Sequence, residues 1–352
     1  MRLTQLRHKL AEEELDAIVI TQPHNRRYLS GFTGSDGALI VSAEATYLAT
    51  DFRYYEQAQR QAPSFTLIKV KDKFPPRLAE LMAEIGARRV GFESTHVTVD
   101  QRQRWAEAAE DFELVPTKRM VEDLRAIKDE GELALIRRAV ELADASFAHT
   151  AQWLKPGVTE KAVAWEIETF IRTHGGDDVA FDLIVGSGPN GAMAHAEPGD
   201  RRIQEGEPIV LDLGARVDGY CSDLTRTICV GEPDQRFRQI HALVLDAQEA
   251  GERAMRAGLK GSTADAIVRD LIGAAGHGER FGHGLGHGVG LAVHERPRLA
   301  KTSEDVLQAG MVVTVEPGIY IEGWGGVRIE DMVVVREREG EVLTTASKGL
   351  RG

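Results

Sequence analysis

The chain has 352 residues, 42% of them hydrophobic and 28% charged, and a formal net charge of −12. That length buries a large core and suits two domains rather than one, with the composition of an ordinary soluble globular protein. The acidic balance argues against nucleic acid or an anionic membrane surface as the main partner.

The opening MRLTQLRHKLAEEEL places leucines at 3, 6 and 10 between charges, which reads as an amphipathic helix and not as a secretion signal. No apolar run approaches the length of a membrane span. The only two cysteines, Cys221 and Cys229, fall on one predicted strand that holds them apart. No disulfide framework is expected, and a reducing, cytoplasmic setting fits.

Residues 1 to about 115 alternate strand and helix patterns. Strands are predicted at 16–21, 38–42, 45–50, 66–70, 89–92 and 112–115, and helices near 53–61, 77–86 and 99–110. The stretch HNRRYLSGF between the first two strands reads as a polar connection. This is an α/β domain with a mixed sheet. Pro116 and a charged helix near 119–127 mark a boundary, giving domains 1–120 and 121–352. Two longer helices, 129–153 and 159–174, are separated by Lys155-Pro156-Gly157, with Thr159 placed to cap the second. From Val179 onward short strands dominate, broken by helical patterns near 234–257 and 263–275.

Two stretches of this second half repeat one pattern. In IVLDLGARVDGYCSDLTR (209–226), an apolar strand meets Asp218-Gly219, a dipeptide suited to a tight hairpin turn, and returns as a second strand. Asp212 and Asp223 lie on the two arms about equally far from the turn, so folding brings them together. Thr225 has the parity of Asp223 and faces the same side. In MVVTVEPGIYIEGWGGVRIEDMVVV (311–335), Glu316 and Glu330 flank a glycine-rich turn centred on Gly323 in the same way. Arg328 shares parity with Glu330, while Asp331 points to the other face. Pro317 has no N–H for a ladder, so an edge or bulge is expected after Glu316. Between the hairpins, GHGLGHGVGLAVHERPR carries His283, His287, His294, Arg296 and Arg298 in a glycine-rich run that no stable helix would accept.

Convergent carboxylates repel one another and call for a cation or a shared proton. Four carboxylates with an imidazole make a hard, oxygen-rich donor set suited to manganese, zinc or cobalt. Two divalent ions, rather than one, neutralise four buried negative charges. Two such ions can share a water and make it a nucleophile near neutral pH, which predicts hydrolysis.

The order Asp-x₁₀-Asp, Gly-His-Gly, Val-Glu-Pro-Gly-Ile-Tyr and Arg-Ile-Glu-Asp resembles the pita-bread metallopeptidases, and within them the Xaa-Pro peptidases: proline dipeptidase (prolidase) and aminopeptidase P. YLSGFTGS and TDFRY extend the resemblance through residues 1 to about 120, a segment that methionine aminopeptidases lack. The resemblance implies a creatinase-like N-terminal α/β domain and an α+β pita-bread catalytic domain. It implies Asp212, Asp223, His287, Glu316 and Glu330 as metal ligands, with Asp223 and Glu330 bridging two ions, manganese above zinc or cobalt. It makes His195 (in AMAHAEPGD), His283 and His294 substrate-facing histidines, with Glu316 as proton shuttle. Arg328 would support the bridging carboxylates, and Arg298 would stand near the substrate carboxylate.

The reaction so implied is hydrolysis of Xaa-Pro bonds by a metal-bridging hydroxide, in a cytoplasmic homodimer. Dipeptides are the expected substrates, because Asp36, in the glycine-flanked loop Gly34-Ser35-Asp36-Gly37, suits a substrate ammonium group. Aminopeptidase P activity on longer peptides is the alternative. Creatinase shares the two-domain layout without needing the metal ligands. A non-catalytic pita-bread binding protein is the reading outside enzymes, but such proteins usually lack several ligands and carry basic tails.

Overall fold

The apolar stretches of the N-terminal third pair into one six-stranded sheet in the computed structural model, which describes residues 1–109 and 111–351. The chain divides into two units, Met1–Arg125 and Ala126–Gly352. In the first, the sheet order is Thr66–Lys69, Thr46–Thr50, Ala38–Ser42, Ala17–Ile20, Arg89–Glu93, Glu113–Thr117. Ala38–Ser42 runs antiparallel to both neighbours and the remaining pairings are parallel, so the sheet is mixed. Ala17–Ile20 is buried throughout, which explains its unbroken apolar run: a central strand covered on both faces has no polar side to alternate with.

The stretch read as a polar connection is a helix, Pro23–Ser30. Its punctuation was visible in the sequence. Pro23 sits in the first turn, the Gln22 side chain accepts from the Asn25 N–H, and Gly31 closes the helix in the left-handed region at φ 80°. The polar residues are there because they are used inward. Arg26 is buried and donates to the carbonyls of Gly37 at 2.6 Å and Gly34 at 3.0 Å, tying down the loop that carries Asp36.

The second unit is α+β. Glu130–Trp153 starts at a capping box between Asp129 and Glu132, and Glu160–Thr173 is capped by Thr159 as its sequence implies. These helices cover an antiparallel sheet of Ile184–Ser187, Ile209–Leu213 and Leu224–Ile228 through Phe147, Ile167, Leu211 and Leu224. A second helix pair, Gln235–Ala254 and Gly261–Ala274, packs Val244 and Val268 into a core shared with Val313, Val315 and Val333. Those valines belong to a five-stranded sheet built around Val312–Val315 and Asp331–Val334. Among the described residues no helix is long and apolar enough to cross a membrane.

One buried histidine of this scaffold makes stability depend on pH. His241 lies edge-on to Phe237 with ring centroids 5.9 Å apart. Burial, and then the charge of Arg226, push its pKa from 6.5 down to about 4. The unfolded chain therefore takes up a proton where the folded protein does not. This contribution is fully present above the unfolded value and is lost as pH falls from 6.5 towards about 4, amounting to about 3 kcal/mol. Denaturant melts of His241→Gln between pH 7 and 4 should show a shallower loss of stability than the parent protein; equal slopes would remove His241 as the cause.

Candidate active site

The first hairpin turns through Asp218 at φ 46° and Gly219 at φ 76°, the pair of left-handed residues that a two-residue turn of matching twist requires. Its register sets Val217 against Tyr220 and Asp212 against Thr225. Asp223, two residues before Thr225 on the same face, is then the diagonal neighbour of Asp212.

In the second hairpin Val315 pairs with Asp331 and Gly318 with Arg328, so Glu316 and Glu330 fall opposite each other in the gap between the two ladders. The break lies at Glu316-Pro317, where the sequence led one to expect it. The hairpins are joined by the Glu330 N–H donating to the Thr225 carbonyl at 3.1 Å.

His287 rides the short strand Gly286–Gly288. A Cβ at Gly286 would strike the Thr314 carbonyl and one at Gly288 the Arg296 carbonyl, so only glycine lets this strand lie so close to its neighbours. The His287 Nδ1 faces the Gly288 carbonyl at 3.1 Å. Its Nε2 is left to the acids, 3.6 Å from Asp223 Oδ2 and 3.3 Å from Glu316 Oε1.

Asp223, His287 and Glu330 each offer a ligand atom, all within 4.8 Å of one another. Asp212, Asp223 and Glu330 are between 1% and 8% exposed. Asp212 Oδ1 and Glu330 Oε1 are buried with no hydrogen-bond partner, whereas the second oxygen of each is engaged, by Arg328 Nη2 at 2.6 Å and by Thr225 Oγ1 at 2.6 Å.

The electrostatics point the same way. Burial, then the charges of Glu330, Asp212 and Glu316, hold the Asp223 carboxyl well above the usual carboxylate range. Burial, then Glu316 and Asp212, do the same to Glu330, and burial raises Asp212. Burial also opposes ionisation of Glu316, but the bond and charge of His287 override it and hold Glu316 at about 2. Buried oxygens without donors, in a cluster whose acids suppress one another's ionisation, are what a divalent cation would satisfy. With one imidazole among carboxylates, the donor set fits such cations.

Arg328 shares a face with Glu330, and the structure supplies its partners. It bonds Asp212 directly and touches Glu330 only through Thr225, whose hydroxyl accepts from Arg328 Nε at 3.1 Å and donates to Glu330. The Tyr320 hydroxyl, which sequence reasoning passed over, accepts from Arg328 Nη1 (2.7 Å) and bonds His283 Nε2 (2.9 Å). Its position four residues after Glu316, on the same hairpin arm, was the available signal.

His283 is held by two bonds, its Nδ1 facing the Gly284 carbonyl at 2.8 Å, and burial lowers its pKa. Arg269, paired with Asp265, clamps the His283 carbonyl at 2.6 Å. His294 stands edge-on to His287, ring centroids 4.3 Å apart, and burial and then the His287 charge lower its pKa. The charge of His195 acts on His294 as well. Arg298 is exposed and lies directly across the strand pair from His287, so the two side chains share a face. Asp36 belongs to the first unit, where it is exposed and 3.4 Å from Arg53 Nη2.

Residues 134–337 match metallopeptidase family M24, and residues 2–127 match the creatinase/prolidase N-terminal domain. The chain belongs to metallopeptidase family M24. A solved structure described as an Xaa-Pro dipeptidase from Bacillus anthracis is 42% identical with a TM-score of 0.97, covering 99% of this chain and 98% of that one. The Xaa-Pro dipeptidase of Pyrococcus furiosus is 36% identical over 351 residues, 99% of each chain. An X-Pro aminopeptidase structure from Thermotoga maritima is 36% identical with a TM-score of 0.90, covering 96% of this chain and 97% of that one. The family is one of metallopeptidases, and Asp223, His287 and Glu330 form a group that could hold a metal ion.

Proposed function

We propose that the protein hydrolyses the peptide bond preceding proline, with Xaa-Pro dipeptides as its main substrates. The observation that carries this reading is the buried acid cluster with two partnerless oxygens, in an M24 chain whose relatives include Xaa-Pro dipeptidases. Asp212, Asp223, His287, Glu316 and Glu330 would hold two divalent ions, manganese in our reading. Bound there, such ions supply an ionised water near neutral pH and polarise the scissile carbonyl.

The chain's own residues do the rest. Glu316 takes the water's proton on a carboxylate oxygen and hands it to the proline nitrogen, which must become an amine to leave. His195 contacts the substrate, His283 and His294 stand near the scissile bond and the proline, and a histidine stabilises the oxyanion as it forms. Arg328 orients Asp212 and opposes the rise that burial imposes on its pKa, and it holds Thr225 against Glu330. The reading extends to a cytoplasmic homodimer, which light scattering tests.

A dipeptide presents an ammonium and a carboxylate two residues apart, and a longer peptide replaces that carboxylate by an amide. Arg298 is the proposed partner of the carboxylate, and Asp36 is proposed for the ammonium. A charge-assisted contact contributes about 1.5–3 kcal/mol, or roughly 10- to 150-fold in kcat/KM. With manganese added, Arg298→Ala should lose about that factor on Ala-Pro and much less on Ala-Pro-Ala. The likeness to the Thermotoga X-Pro aminopeptidase favours the second reading, removal of the first residue from longer peptides. A parent enzyme that prefers Ala-Pro-Ala, or equal losses on both substrates, would establish it.

A further inference from the structure

Behind the segment that carries His195 sits a carboxylate that the chemistry above does not use. Glu160, first residue of the helix Glu160–Thr173, is 0% exposed. A buried carboxylate is strongly unfavourable unless its oxygens are hydrogen-bonded. Here Oε1 accepts from the Ser187 N–H at 2.9 Å, the Ser187 hydroxyl at 2.7 Å and the Asn190 amide at 3.1 Å. Oε2 accepts from the Asn190 amide and from the Gly199 N–H, each at 3.1 Å. The Ser187 hydroxyl accepts in turn from Arg201 at 2.6 Å, so its own proton is committed to Glu160.

The arrangement has a direction. Ser187 and Asn190 precede His195, and Gly199 follows it, so one carboxylate fastens both ends of the segment 187–199. The middle of that segment is exposed at Met193 and His195. A second tie holds it at Ala194, whose carbonyl accepts from Arg328 Nη1 at 3.2 Å, the guanidinium that also grips Asp212. The exposed histidine is thereby fixed at its base and beside its own backbone.

We propose that Glu160 is a positioning residue that sets the segment 187–199 so that His195 meets the substrate, an inference that rests on His195 contacting substrate. Glu160→Gln keeps the shape but turns one acceptor into a donor facing donors. A displacement of about 1 Å at a reacting group costs roughly 100-fold, so kcat/KM on Ala-Pro should fall by about that factor with metal content unchanged. The deciding arm is a double-mutant cycle with His195→Ala. If Glu160 acts through His195, adding Glu160→Gln to His195→Ala changes kcat/KM by less than about threefold. A full second loss in that background overturns the proposal, because a general structural defect is blind to His195.

Should Glu160→Gln not fold, Asn190→Ala removes two of the bonds and leaves the carboxylate three, and it enters the same cycle. If His195→Ala alone leaves activity intact, the assignment of His195 falls instead. The staple is then judged by limited proteolysis: Glu160→Gln must speed cleavage within 187–199, and an unchanged rate overturns it.

Discussion

Alanine at Asp223 or Glu330 is expected to abolish peptidase activity and to leave the protein short of metal. Both are proposed ligands and both belong to the group of side chains that could hold an ion, so losing either removes a buried carboxylate from its centre. Losing the ions forfeits several kcal/mol of charge stabilisation, at least about 10³-fold in rate. His287→Ala should lose mainly one ion. Elemental analysis of the purified variants reads the metal, and hydrolysis of Ala-Pro reads the rate. Asp223→Asn separates charge from folding: without metal it relieves a buried acid already held above its usual range by burial and by Glu330. In chelator it should melt no lower than the parent, although it is inactive in metal. Two full equivalents of metal in Asp223→Ala would remove Asp223 from the ligand set.

The histidines should behave in the opposite way. His195→Ala, His283→Ala and His294→Ala are expected to keep their metal while kcat/KM on Ala-Pro falls by roughly 10²–10⁴, the range for groups that move a proton or meet an oxyanion. The two bonds that hold His283, to Gly284 and Tyr320, leave its ring nitrogens less free than those of a ring aimed at substrate alone. Its loss should therefore fall at the lower end. Metal lost from any of the three variants would make that residue a ligand or a support for one. Undiminished rates would take it out of the mechanism.

Strand parity and turn chemistry carried most of the site. Asp218-Gly219 and the spacing of Asp212, Asp223, Glu316 and Glu330 follow from a two-residue period folded about a known turn, and Pro317 announced the break beside Glu316. Parity names a face, however, and not a partner. It put Arg328 and Glu330 on one face, and only the structure shows that the guanidinium reaches Asp212 directly and Glu330 through Thr225.

The helix Pro23–Ser30 was missed because its polar residues were counted as solvated, while Arg26 and Asn25 are buried and bonded. Glu160 was illegible for the same reason. A carboxylate in the first turn of a helix ordinarily satisfies the helix dipole in water, and only the fold reveals that its five bonds go to a distant segment.

The sequence separations of the acids set an order of assembly. Asp212 and Asp223, and likewise Glu316 and Glu330, are brought together by local hairpins that close in microseconds. The bond from Thr225 to Glu330 spans 105 residues, a loop whose closure belongs to a late step of folding. Each hairpin on its own is a half-site of two like charges. The complete acid cluster exists only once the halves dock, so a nascent chain does not hold it until residue 330 has been synthesised and packed.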